Sequence, residues 1–134
     1  MKSMTIKLSY WAALLSVFFI SCSELCDTDE ADTAALQYRV TVEKPIIAGV
    51  SYRDANGTIV STDADFLNLK LWYTHVNVEA PFNALKQVVL VNNYTEEVSY
   101  NLGIYLDGEL IETKNGSVLP QEQETAIIQY TITD

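Results

Sequence analysis

Between Val98 and Leu106 an apolar or aromatic side chain falls on every second residue: Val98, Tyr100, Leu102, Ile104 and Leu106, with Ser99, Asn101, Gly103 and Tyr105 between them. A period of two places one set on a single face of an extended strand, and a helix turning every 3.6 residues would scatter it. The same alternation is written in Leu36, Tyr38, Val40 and Val42 against Gln37, Arg39, Thr41 and Glu43, and again in Ala126, Ile128, Tyr130 and Ile132. A chain with three such segments must bury one face of a sheet, and a sheet buried on one face needs a second layer to bury it.

The remaining text fits strands and turns. Pro45 ends the first strand, and Ile46 to Arg53 is a second candidate. Asn56-Gly57 is a tight-turn signal, since both residue types tolerate the positive φ of hairpin turns, and Thr58 to Thr62 would return beside the second strand. From Phe66 to Val78 the phase changes: Leu67, Leu69, Leu71 and Tyr73 share one face, Val76 and Val78 the other, which predicts a bulge near Thr74 and His75. Leu85 to Val91 follows Pro81, and Asp107-Gly108 is a second hairpin turn with Glu109 to Thr113 as the returning strand. Seven or eight short strands without a helical stretch predict an all-β, antiparallel sandwich of immunoglobulin type in residues 36–134. That length suffices to bury roughly two thirds of the unfolded chain's surface around one core.

Residues Lys86 to Thr133 resemble the cell-adhesion-related bacterial domain and its immunoglobulin-like relatives. The likeness rests on Val88-Val89-Leu90-Val91-Asn92-Asn93, Ile104-Tyr105-Leu106-Asp107-Gly108 and Val118-Leu119-Pro120-Gln121-Glu122. Asn92-Asn93-Tyr94 lacks the glycine common in that family's first loop, and Gln121 replaces the usual glycine after proline. The resemblance therefore implies a fold and no site.

The N-terminus follows a different logic. Lys2 and Lys7 precede an uncharged run, LSYWAALLSVFFI, from Leu8 to Ile20. A helix of that length spans about 20 Å, short of the roughly 30 Å hydrocarbon layer, so a signal peptide over residues 1–21 fits better than a permanent membrane helix. Phe19-Ile20-Ser21-Cys22 resembles the lipobox of bacterial lipoproteins, with Phe19 where leucine is usual. That resemblance implies cleavage between Ser21 and Cys22, a diacylglycerol on the Cys22 thiol and an acylated new amino terminus. Several acyl chains hold a protein at a bilayer essentially irreversibly, whereas one is marginal. The other reading is an ordinary secretory signal cut near Ser21 or Ser23, with Cys22 and Cys26 left as a local pair or as free thiols.

Residues 22–35 begin with an acidic run, five carboxylates between Glu24 and Asp32, too polar to fold alone and expected to be a solvated tether. The run resembles the acidic stretch that some Gram-negative lineages place after the lipidated cysteine to send a lipoprotein to the outer surface. Asp32-Thr33-Ala34 resembles a bacterial O-glycosylation acceptor, with Thr33 carrying the glycan. Asp27, Asp29 and Asp32 have no turn glycine or closing glutamate for a calcium loop, so no metal and no cofactor are expected.

The formal charge is −10, and loss of Lys2 and Lys7 with the signal takes it to −12, which argues against nucleic acid and against direct contact with an anionic lipid surface. His75 is the only histidine and has no nucleophile at a recognised spacing, and Asp63-Ala64-Asp65 and Glu96-Glu97 read as loop acids, so no catalytic residue is assigned. By alternation Trp72, Tyr94 and Tyr105 fall outside the inward faces, where they could stack on a sugar or anchor a protein. The reading is a non-catalytic binding or adhesion module of the cell envelope, anchored by lipid to the outer membrane and displayed at the surface, with a protein or glycan partner. The alternatives are an immunity or inhibitor lipoprotein on the periplasmic face that blocks a basic toxin or hydrolase, and a carbohydrate-binding lipoprotein.

Overall fold

The structure, a computed structural model, describes residues 33–134. The expected signal peptide, Ser21, Cys22, Cys26 and most of the expected tether lie outside the described residues. Eight strands follow one another: β1 Thr33–Val42, β2 Ile47–Arg53, β3 Ile59–Ser61, β4 Leu71–Glu79, β5 Phe82–Val91, β6 Val98–Leu106, β7 Glu109–Val118 and β8 Gln123–Ile132. They form two four-stranded antiparallel sheets, ordered β4-β1-β6-β7 and β3-β2-β5-β8. The described residues contain no helix. The described residues form an all-β sandwich, as their alternation predicts. Adjacent pairs β1–β4 in one sheet and β2–β5 in the other match the B–E and C–F pairs of immunoglobulin domains. The hairpin β6–β7 extends the first sheet on the far side of β1.

Inward positions supply one continuous core. Leu36, Tyr38 and Val40 of β1 meet Val88 and Leu90 of β5 and Leu102 and Ile104 of β6 among the fully enclosed side chains. Removing each such aliphatic side chain from water contributes about 1.5–3 kcal/mol, which is the main force closing the two sheets. Asp107 and Gly108 both take positive φ, +49° and +85°, in the two-residue turn between Leu106 and Glu109. That left-handed pair matches the twist of the strands it joins. The β2–β3 turn is longer than Asn56-Gly57 alone suggests, and Gly57 takes positive φ there. The Asp54 carboxylate organises it, accepting from the backbone N–H of Asn56 and Thr58 at 3.0 Å each.

Three local expectations change. β4 carries no bulge near Thr74 and His75: its register with β1 runs unbroken from Thr33↔Glu79 to Thr41↔Leu71. Trp72, Val76 and Val78 share the inward phase, while Leu71 and Tyr73 face out, and Leu67 and Leu69 precede the strand. The indole offers more apolar area than the neighbouring phenol, so Trp72 sets the phase. Irregularities occur instead between Ile47 and Gly49 in β2 and opposite Ile104 and Tyr105 in β7. β1 begins at Thr33, three residues ahead of Leu36, because Asp107 clamps Ala35: the Asp107 N–H donates to the Ala35 carbonyl at 2.8 Å, and the Ala35 N–H donates to the Asp107 carboxylate at 2.9 Å.

The sandwich has two distinct ends. Thr33 lies at the end formed by the β2–β3 turn, Pro81 and the Asp107-Gly108 hairpin. The connections of residues 43–46, 62–70, 92–97 and 119–122 gather at the other, tied by Val42 N–H to Lys70 O at 2.9 Å, Glu43 N–H to Ser99 O at 3.1 Å and Asn92 N–H to Glu122 O at 2.9 Å.

Candidate functional site

The three aromatics singled out by alternation lie in three different places. Trp72 is corrected outright: it is 8 % exposed and belongs to the core. Its ring stands 5.8 Å from Tyr52, which stands 5.5 Å from Tyr38, and this tilted stack fills the gap between the sheets. Tyr94 is exposed in the loop between β5 and β6, with the Lys44 ammonium 5.1 Å from its ring centre. Tyr105 is half-buried on the outer face of β4-β1-β6-β7.

That outer face is the most developed surface of the described residues. Strand register places Tyr73 beside Arg39, Arg39 beside Gly103 and Gly103 beside Thr113. The next row runs His75, Gln37, Tyr105, Leu110. Gly103 is the bare floor between them: a Cβ there would lie 2.9 Å from Cε2 of Tyr105 and 3.5 Å from Leu110, so the glycine lets the Tyr105 ring lean onto the sheet. Arg39 lies over that ring, its guanidinium carbon 5.9 Å from the centre, an attraction between a cation and an aromatic face. Tyr73 is 54 % exposed and His75 meets it edge-on, 5.7 Å between centres and 79° between planes, which restrains both rings. Across two strand spacings of about 4.8 Å each, the row from Tyr73 to Gly103 spans roughly 10 Å.

Toward the loop end the same face dips. A shallow depression of about 370 Å³ there is lined by Thr41, Glu43, Ser99, Asn101 and Asn115. Asn101 donates through Nδ2 to the Thr113 hydroxyl at 3.0 Å and to Asn115 Oδ1, and Ser99 Oγ donates to Glu43 at 3.1 Å. A line of amides and hydroxyls therefore adjoins the aromatic floor.

The other sites weighed from sequence fall apart spatially. His75 has no nucleophile hydrogen-bonded to it among the described residues, and its neighbours are Tyr73 and Gln37. Asp65 accepts from the Leu67 N–H at 3.0 Å and shapes its own loop. Glu96 pairs with Lys44 at 2.5 Å, which raises the lysine's pKa through that hydrogen bond, and Glu97 accepts from the Ser117 hydroxyl. Among the described residues no cluster of three or more His, Cys, Asp or Glu side chains could hold a metal. Thr33 is exposed at the start of β1.

Sequence reasoning passed over Arg39, Tyr73 and Gly103. Arg39 and Gly103 occupy outward positions of clean alternations, and a glycine flanked by Leu102 and Ile104 signals a floor kept bare. No family model matches this chain, and comparison with curated proteins finds none that matches it.

Proposed function

We propose that this protein is a lipid-anchored module of the cell envelope that works by binding rather than by turnover. Phe19-Ile20-Ser21-Cys22 is the observation that carries the anchor: a thiol nucleophile behind a small residue at the end of a short apolar run. The sandwich supports the presentation. The described domain begins at Thr33, and Tyr94 with the 62–70 and 92–97 connections lies at its opposite end. Rigid strands with function carried on loops and faces are the usual division of labour in such folds. The acidic run's likeness to surface-sorting stretches supports display at the outer surface of the outer membrane.

Metabolic labelling with palmitate tests the anchor. Label entering the wild type and absent from Cys22→Ala supports it, and equal labelling of both rejects it. Protease shaving of intact cells tests display, since a surface module is cut and a periplasmic one is protected.

A second reading has its own observation. Glu43, Asp63, Asp65, Glu96, Glu97 and Glu122 concentrate at the loop end, against Lys44 and Lys70. An acidic end on a tethered domain suits a basic protein partner, as an immunity or inhibitor lipoprotein would require. Protection from the protease, together with capture of a basic hydrolase or toxin, would favour it over surface display.

A further inference from the structure

We infer that the outer face of β4-β1-β6-β7 is a binding platform for a neutral oligosaccharide, on which Tyr73 and Tyr105 stack sugar rings and Arg39 donates to sugar hydroxyls. This rests on the reading of the chain as a binding module and names the ligand class.

The argument begins with shape. Tyr105 leans over Gly103 with the Arg39 guanidinium against its ring, and Tyr73 is braced by His75, so two aromatic rings and a guanidinium share one face of the sheet. A pyranose ring has an apolar C–H face and a polar rim. It therefore asks for an aromatic surface below and planar donors and acceptors alongside, and this face supplies both within the roughly 10 Å between the Tyr73 and Gly103 backbones. Protein anchors, by contrast, seat in well-packed pockets at the centre of an interface, and the depression here is shallow and lies beside the rings, with Ser99, Asn101 and Asn115 among its lining residues.

Charge decides between sugar classes. Arg39 makes no ion pair among the described residues and is held against Tyr105, so its N–H groups remain available as hydrogen-bond donors. One cation does not offset a chain of net charge −10, and Glu43 stands on the wall of the depression. An anionic polysaccharide would be repelled along its length, whereas a neutral one meets donors and acceptors without that cost. The opposite sheet offers a contrast: the depression of about 460 Å³ around Arg53, Gln129 and Thr131 has Tyr130 as its one aromatic, and Arg53 Nη1 is already committed to the Asn83 carbonyl at 3.0 Å.

The test uses the full chain in detergent against a glycan array of neutral oligosaccharides and carboxylate-bearing counterparts, with titration calorimetry of the strongest hit. The expected result is binding of a neutral glycan, weakened about tenfold or more by Tyr105→Ala and by Tyr73→Ala, the loss of one stacking contact. Arg39→Gln and Gly103→Ala weaken it too, the latter by displacing the Tyr105 ring, while Gln129→Ala on the other sheet leaves it unchanged. Unaltered circular dichroism of each variant separates lost contact from lost fold. The inference is overturned if no neutral glycan binds, if the acidic counterparts bind better, or if the hit survives Tyr73→Ala and Tyr105→Ala together. A protein captured from envelope or host extracts and released by Tyr73→Ala and Tyr105→Ala sinks the sugar platform and leaves the binding module standing. Loss of palmitate labelling would remove the anchor and leave the platform standing.

Discussion

Lys86 on β5 and Asn92, the residue just past its end, both turn inward and are the two fully buried polar side chains among the described residues. Asn92 is neutral and fully engaged. Its Nδ2 donates to the carbonyls of Glu96 at 2.8 Å, Val118 at 2.9 Å and Leu119 at 3.3 Å, and its Oδ1 accepts from the Tyr94 N–H at 2.9 Å. One amide thus ties the β5–β6 loop to the end of β7. Lys86 carries an ammonium across the sandwich to two main-chain carbonyls of the opposite sheet, Arg39 and Gly103 at 3.1 Å, and no acid faces it among its bonded partners. An ammonium has three donors and two are used. Burial pushes its pKa down from 10.5 to about 7. A polar group just past the end of β5 therefore locks the fold, and one within the strand makes its stability depend on pH.

The largest expected effect follows from that difference. The unfolded lysine binds its proton up to about pH 10.5, while the folded one releases it near 7, so between those values the unfolded state holds more protons and stability rises with pH. The gap is worth on the order of 5 kcal/mol, present above 10.5 and lost as pH falls toward 7. Urea midpoints measured from pH 6 to 10 should climb. Lys86→Met should flatten that climb at little cost near neutrality, because a buried cation replaced by an apolar chain of similar volume is often neutral or stabilising. A flat wild-type profile would break the comparison.

Asn92→Leu should behave in the opposite way. It strands three carbonyls and one N–H, and a loss of about 3 kcal/mol, independent of pH, is expected in the same denaturation series. Tyr38→Phe comes next. The Tyr38 hydroxyl donates to the Arg53 carbonyl at 2.9 Å and accepts from the Leu85 N–H at 3.3 Å, and its removal should cost about 1–2 kcal/mol. Because Leu85 adjoins Lys86, the midpoint of the alkaline climb should move in Tyr38→Phe and stay in place in Asn92→Leu.

These contrasts also mark what the sequence makes legible. The alternations from Leu36 and from Val98 predict two central strands in the observed phase, since both flank the core and each inward side chain is apolar. β7 runs to Val118, five residues beyond the predicted return to Thr113, because it is an edge strand with mostly polar exposed residues and leaves no apolar rhythm. Lys86 occupies the inward phase between Ala84 and Val88, so the sign of a buried lysine was present, but local pattern cannot supply the opposite sheet's carbonyls. The platform fails in the same way. Its rings come from β4 and β6, which meet only through β1, and Leu67 and Leu69 ahead of β4 continue the outward rhythm of Leu71 and Tyr73, which masks the phase that Trp72 sets.

The smallest effect sharpens the upper limit of the pH profile. Tyr100 donates to the Glu124 carboxylate at 2.8 Å, and burial together with that bond pushes its pKa up to about 12; burial pushes Tyr38 to about 12 as well. A phenol raised in the folded state contributes stability that is present below about 10 and lost between 10 and 12, so the climb set by Lys86 should turn over near pH 10. Glu124→Gln keeps an acceptor for the phenol and removes its negative charge. At pH 7 the change in midpoint should stay within about 0.5 kcal/mol, the scale of a single partly exposed hydrogen bond. Absorbance titration of tyrosinate should then show one phenol ionising earlier than in the wild type and Tyr38 unmoved, with the rise between 7 and 10 intact. If that rise disappears with Glu124→Gln, the proton released near neutrality does not belong to Lys86, and the contrast between Lys86 and Asn92 fails.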